Sequence, residues 1–325
     1  MIRLAIALCL APLAAAAVDQ AALLAKRPAK WLSTYQLFDD GPAQIPAAGV
    51  TPYDLATPLF SDQAEKLRFV WTPAPATYNP TEAFEFPVGS VLVKTFAYPE
   101  GAGLIETRLL IQQASGWKAW PYVWDAEKGD ARLKLAGARV DITHDDQTFS
   151  YRVPNANQCK GCHQRGEAIT PIGPKARNLN HAYPYADGAQ NQLAAWVDRG
   201  LLDKAPAPPA SADWRVGELD ARARAYLDVN CAHCHRRDGP ASNSGLFLTF
   251  GEQDRAAWGY RKRPVAAGRG SGGLAFDITP GDPDASILVY RMHSLEPGVM
   301  MPELGRALRH DEGVVLIRDW IASLD

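Results

Sequence analysis

The chain has 325 residues, of which 47% are hydrophobic and 22% charged, and its 34 basic side chains nearly balance 36 acidic ones. Such a composition supplies a full core and excludes disordered and collagen-like classes. Near-neutral charge without a long basic run gives no footprint for nucleic acid, and past residue 17 no stretch supplies the ~20 uninterrupted apolar residues of a membrane helix.

The first 17 residues, MIRLAIALCLAPLAAAA, combine Arg3, an apolar run and small residues before Val18. This layout is that of a secretory leader, so residues 1–17 are expected to be removed and the rest to act in the periplasm. Cys9 follows Leu8 rather than a small residue, which argues against lipoprotein processing.

Residues 18–202 read as a β-rich domain. Strands are predicted over Phe84–Phe96, Leu104–Gln112, Trp117–Trp124 and Phe149–Val153, bounded by turn signals such as Pro87-Val88-Gly89 and Ser115-Gly116, and their composition predicts an antiparallel sheet. From 156 to 202 the pattern turns to loop and helix, with a helix predicted over Asn191–Arg199 and ended by Gly200. The run DKAPAPPASAD at 203–213 reads as a linker.

Residues 214–325 read as an all-α domain, so the expected class is α+β. Leu219, Ala223, Tyr226, Leu227 and Asn230 mark one helical face running into Cys231, supported by Glu218/Arg222 and Asp220/Arg224 pairs. Asp282-Pro283 predicts a helix start leading through Ile287, Leu288 and Arg291. A last helix is predicted from Asp311, with Val314, Ile317, Trp320, Ile321 and Leu324 on its buried stripe and Trp320 as plain core.

Beyond the leader the cysteines are Cys159, Cys162, Cys231 and Cys234, arranged as CKGCH and CAHCH. C-x-x-C-H is the attachment pattern of c-type haem: two thiols become thioethers to the porphyrin and the next imidazole, here His163 or His235, reaches the iron. A zinc site or redox and structural disulfides also use C-x-x-C, but both leave the two trailing histidines unexplained. The doubled motif therefore favours two covalent haems.

The order of helix, CxxCH, Gly-rich middle, Met-Pro pair and aromatic-bearing last helix resembles class I cytochrome c over roughly residues 214–325. That resemblance implies His235 as proximal and Met301 as distal ligand. Met300 is the neighbouring alternative, disfavoured because Pro302 biases residue 301 toward extended backbone, and Met292 reads as core filler. His233 reads as solvent-facing, and His293 and His310 as surface residues.

FPVGSVLVKTF, IETRLL, GWKAWPYVWD and VPNANQCKGCH are loosely similar in order to the β-sheet c-type cytochromes of the cytochrome c′-beta group and the hydroxylamine-oxidising cytochromes. More broadly, TPYDLATPLFSD, ETRLL, both CxxCH motifs and the Met-Pro loop resemble an uncharacterised family of exported bacterial dihaem c-type cytochromes, which implies haem binding and electron transfer and supplies no substrate.

By position His163 is the first iron's proximal ligand. No methionine lies between Val18 and Cys231, so the distal place falls to His181, to His144 or to no side chain at all. Lys94, Glu106 and Arg108 are either groups of that pocket or a solvated strand face. The function expected is periplasmic electron transfer between a donor and an acceptor protein. Its rivals are a haem peroxidase or small-nitrogen-compound oxidase, and a ligand sensor, both at an open first haem.

Overall fold

The computed structural model describes residues 17–265 and 267–325; the expected leader up to residue 16, Cys9 included, lies outside the described residues. Six consecutive strands build the largest sheet: β1 (Thr51–Tyr53), β2 (Glu65–Trp71), β3 (Val91–Tyr98), β4 (Gly103–Gln113), β5 (Gly116–Asp125) and β6 (Asp130–Leu133). Every neighbouring pair is antiparallel and the spatial order follows the chain; short turns join β3 through β6, whereas residues 54–64 and 72–90 make longer connections from β1 to β2 and from β2 to β3.

Period two divides the side chains between the sheet faces. The paired row Phe69, Val93, Leu109 and Trp120 faces one core with Tyr35, Leu37 and Tyr122. The next row, Val70, Leu92 and Leu110, faces a second core with Phe84, Phe86 and Trp196. The predicted strand from Phe84 is corrected here, since β3 starts only at Val91. Pro87 has no N–H for a ladder, and Gly89 takes φ +98 in the turn that Ser90 closes onto the Pro87 carbonyl.

Two further strands, β7 (Ala138–His144) and β8 (Gln147–Val153), form a separate hairpin. Only β8 was predicted; in β7 Ile142 alone is fully buried, so its alternation is faint. The chain then enters helix α1 (Ala156–His163) through a capping box: Asn155 accepts from the Gln158 N–H, and the Gln158 side chain accepts from the Asn155 N–H. Helix α2 (Gln192–Asp198) matches the predicted segment, with Asn191 as its cap and Gly200 at φ +70 beyond its end.

Beyond residue 213 the described residues form helices, turns and isolated bridges, with no multi-residue strand. The chain is thus of mixed α and β content, with its sheet in the first half. Helix α3 (Leu219–Asn230) runs up to Cys231 as expected, and α5 (Asp311–Ala322) buries Val314, Ile317, Trp320 and Ile321. Gly313 is what lets α5 close on α3, since a Cβ there would overlap the Tyr226 ring. Trp320 is core, and its indole N–H donates to Asp220. Helix α4 spans Ile287–His293 and does not begin at Pro283. Asp282 instead caps a turn at the Ala285 N–H, and the helix opens after Ser286. Among the described residues no helix is long and apolar enough to cross a membrane.

The two halves are fastened through buried polar groups. Asp228 on α3 is 2% exposed and accepts from Arg177 at 2.6 Å, Lys175 at 3.2 Å and the Phe250 N–H at 3.0 Å. The segment 203–213 lies along this seam: the Thr57 hydroxyl donates to the Ala212 carbonyl and accepts from the Trp214 N–H, and Asn180 donates to the Pro209 carbonyl. Burial alone would raise the Asp228 carboxyl, but Lys175 and Arg177 outweigh it and hold it at about 2. A depressed carboxyl stabilises the fold above its unfolded value near 3.9, and that contribution, about 2 kcal/mol, is lost as pH falls from ~4 toward 2. Asp228→Asn is expected to flatten acid unfolding across that window, followed by circular dichroism, and to cost about 3–5 kcal/mol at neutral pH by leaving two buried cations unpaired.

Candidate functional site

On α1, residues 159, 162 and 163 stand three and four apart, so the helix presents both thiols and the imidazole on one face. Cys159, Cys162 and His163 all line a cavity of about 500 Å³. The sheet face, α3 and the Met-Pro loop close its other sides. Its size falls within the roughly 300–1,000 Å³ of ligand and cofactor sites.

The second motif follows α3 as a tight turn, in which the Cys234 and His235 N–H groups donate to the Cys231 carbonyl. It is split between environments. Cys231 and His233 line the cavity, whereas Cys234 and His235 do not. The Cys234 sulfur lies 3.2 Å from the Gly161 carbonyl, inside the first motif, and its single proton goes either there or to Cys162. It also lies within hydrogen-bonding reach of Cys162, a contact that, with help from His233 and against burial, draws Cys162 well below the usual thiol range. Burial pushes Cys159 up and Cys231 up to about 12. The four cysteines of the two motifs are free thiols.

The imidazoles are set by their partners. His163 donates from Nδ1 to the Thr170 carbonyl at 2.8 Å, which leaves Nε2 as the lone-pair nitrogen. His235 does the same through a hydroxyl: the Ser244 proton is committed to the Ala241 carbonyl at 2.7 Å, so Ser244 Oγ accepts from His235 Nδ1 at 3.3 Å. Burial keeps both rings neutral, lowering His163 and bringing His235 to about 4. Both tautomers are those of a metal-ligating imidazole. Among the described residues no three His, Cys, Asp or Glu side chains gather around one ion position.

Met301 lines the cavity and Met300 does not. Met292 is on the wall too, although it also packs in the helical core. Asp62 holds the Met-Pro loop over the sheet by accepting from the Ala307 and Leu308 N–H groups at 2.7 and 2.8 Å. His181 and His144 are both off the cavity wall: His181 Nε2 meets the Gln192 amide, and His144 rests against Tyr98.

Several expectations are corrected by position. His233 is not solvent-facing but 8% exposed, donating from Nδ1 to the Val229 carbonyl at 3.2 Å. His310 is a cavity residue, stacked on Phe60 at 4.2 Å and bonded to the Tyr226 hydroxyl. His293 is exposed as expected. Lys94 and Arg108 line the cavity and Glu106 is fully buried, bound by Arg108 and by Tyr151 at 2.7 Å, so this strand face is not solvated. A charged row at period two on a strand ahead of a CxxCH motif was the available signal for these groups, whereas none existed for Phe60 or His310.

Arg165 and Arg236, each just past one motif, share Glu82 and Asp238 in an ion-pair network that pins the two motifs side by side. Comparison with known protein families, characterised proteins and solved structures finds no match to this chain. The proximity of Cys162 to Cys234 is directly measurable: mild oxidation of the haem-free chain is expected to join these two thiols across the motifs, read by mass mapping of peptides. Cys162→Ser should abolish that product.

Proposed function

We propose that this chain is an exported dihaem c-type cytochrome that passes electrons between a periplasmic donor protein and an acceptor protein. The observation that carries the proposal is the pair of CxxCH motifs, each with free thiols and an imidazole whose Nδ1 is already spent, so that Nε2 is available to iron. The first motif suits the group best, because both its thiols and its histidine share one cavity wall. Cys159, Cys162 and His163 would hold one haem c, and Cys231, Cys234 and His235 the other; Met301, the distal ligand expected for the second iron, stands on the cavity wall that His163 lines and His235 does not. Haem supplies a one-electron couple whose potential depends on axial ligand, burial and hydrogen bonding.

The chain's own groups have definable tasks. Thr170 and Ser244 orient the imidazoles and keep their proton off Nε2. Asp62 positions the loop bearing Met301. On this reading residues 214–325 are the class I cytochrome c part and the sheet half is the other haem domain. An open first iron, serving a haem peroxidase, a small-nitrogen-compound oxidase or a ligand sensor, is the second reading. It is favoured by the placement of His144 and His181 away from the cavity.

A pyridine haemochrome assay on the protein exported from a host with haem-attachment machinery is expected to give two haems per chain, falling to one when Cys231 and Cys234 are both changed to Ala. A count of zero or one in the unaltered chain overturns the proposal. Met301→Ala should remove the weak far-red absorption of Met-ligated ferric haem and lower one potential, while Met300→Ala leaves both unchanged. Rapid binding of carbon monoxide to one reduced haem of two supports the open site, and its absence removes the second reading.

A further inference from the structure

Directly paired residues of β2, β3 and β4 set three cations in one row: Arg68 opposite Lys94, and Lys94 opposite Arg108. All three line the cavity. Neighbouring strands are ~4.8 Å apart, so the row spans only about 10 Å, and like charges opposite one another destabilise a sheet. Two carboxylates compensate in part. Asp54 takes Arg68 Nη1 at 2.9 Å, and Glu106 takes Nε and Nη2 of Arg108. Lys94 in the middle has no carboxylate; its ammonium lies over the Phe96 ring, 4.8 Å from the centroid, with the Arg108 guanidinium on the same ring at 4.2 Å. Arg68 is 4% exposed and its Nη2 is buried without a partner. The row therefore holds an amine without a counter-charge, which burial and the flanking Arg68 and Arg108 draw well below the usual ammonium range, and an unused, buried guanidinium N–H group.

We propose that Arg68, Lys94 and Arg108 form an anion site in the cavity wall for a two-oxygen monoanion of the carboxylate class. Lys94 supplies the amine that has no carboxylate partner and is returned to its charged form by an arriving anion, and Arg68 Nη2 the donor that has no protein acceptor. Two sources offer this chemistry: a free small carboxylate, or a carboxylate side chain of a haem held at CKGCH. Only the second source rests on the function proposed above.

The test uses ¹³C-formate titrated into the protein as purified, at constant ionic strength, with Lys94→Met, the polar Lys94→Gln and the charge-keeping Lys94→Arg, alongside voltammetry. One-to-one formate binding that weakens roughly tenfold or more in the Met and Gln variants and persists in Lys94→Arg establishes the site for a free anion. No formate binding in the wild type, together with one reduction wave that moves negative in Lys94→Met and returns in Lys94→Arg, establishes that a haem carboxylate fills it. Equal formate binding in wild type and both neutral variants overturns the site, as does the absence of both formate binding and any shift of a wave. A haem count of zero removes the cytochrome proposal independently and leaves formate binding as the deciding readout. Thermal unfolding without formate gives a second readout: Lys94→Met should raise the midpoint where the site is empty and lower it where a haem carboxylate fills it.

Discussion

A carboxylate buried at the seam governs the geometry of this molecule. Asp228 sits on the helix that delivers the second CxxCH motif, and its cation partners Lys175 and Arg177 follow the first. A buried ion pair adds little net stability against a well-packed apolar alternative, but its loss is costly, so it acts mainly to specify one arrangement. Because the pair is satisfied only when the halves meet in one register, the two motifs are brought to one place. The Glu82 network and the Cys234 contact to Gly161 repeat that constraint nearby.

The cavity follows from this docking. The sheet covers its first face with the N-terminal segment and part of its second with α2, and the rest of the second face is left for α1, α3 and the Met-Pro loop to roof over. Along that face apolar residues give way to charge within two positions, from Val70, Leu92 and Leu110 to Arg68, Lys94 and Arg108. An interior that tolerates such a row must neutralise it. Asp54 and Glu106 do so only at its ends.

Legibility in the sequence tracked the range of the interactions involved. Helix α5 and the end of α2 were readable because apolar spacing, Asn191 and Gly200 act within a turn of the backbone. The starts of β3 and α4 were misread where a local cue served another purpose, Pro87 with Gly89 making a turn and Asp282 capping one. His233 and His310 were assigned to the surface because nothing near them in sequence marks burial. Their neighbours, Cys162 for one and Phe60 for the other, come from the opposite half of the chain.

The sequence by itself determined the chemistry on offer: two CxxCH motifs, the thiols and imidazole of the first spaced for one helical face, and a single late Met-Pro pair. These are local, since three or four residues along a helix set which side chains stand together. Only the tertiary structure decided that the motifs adjoin and that Lys94 stands between two arginines. Strand register and the docking of halves are set by pairings between residues far apart in the chain, and no local pattern encodes which distant partner a side chain will face.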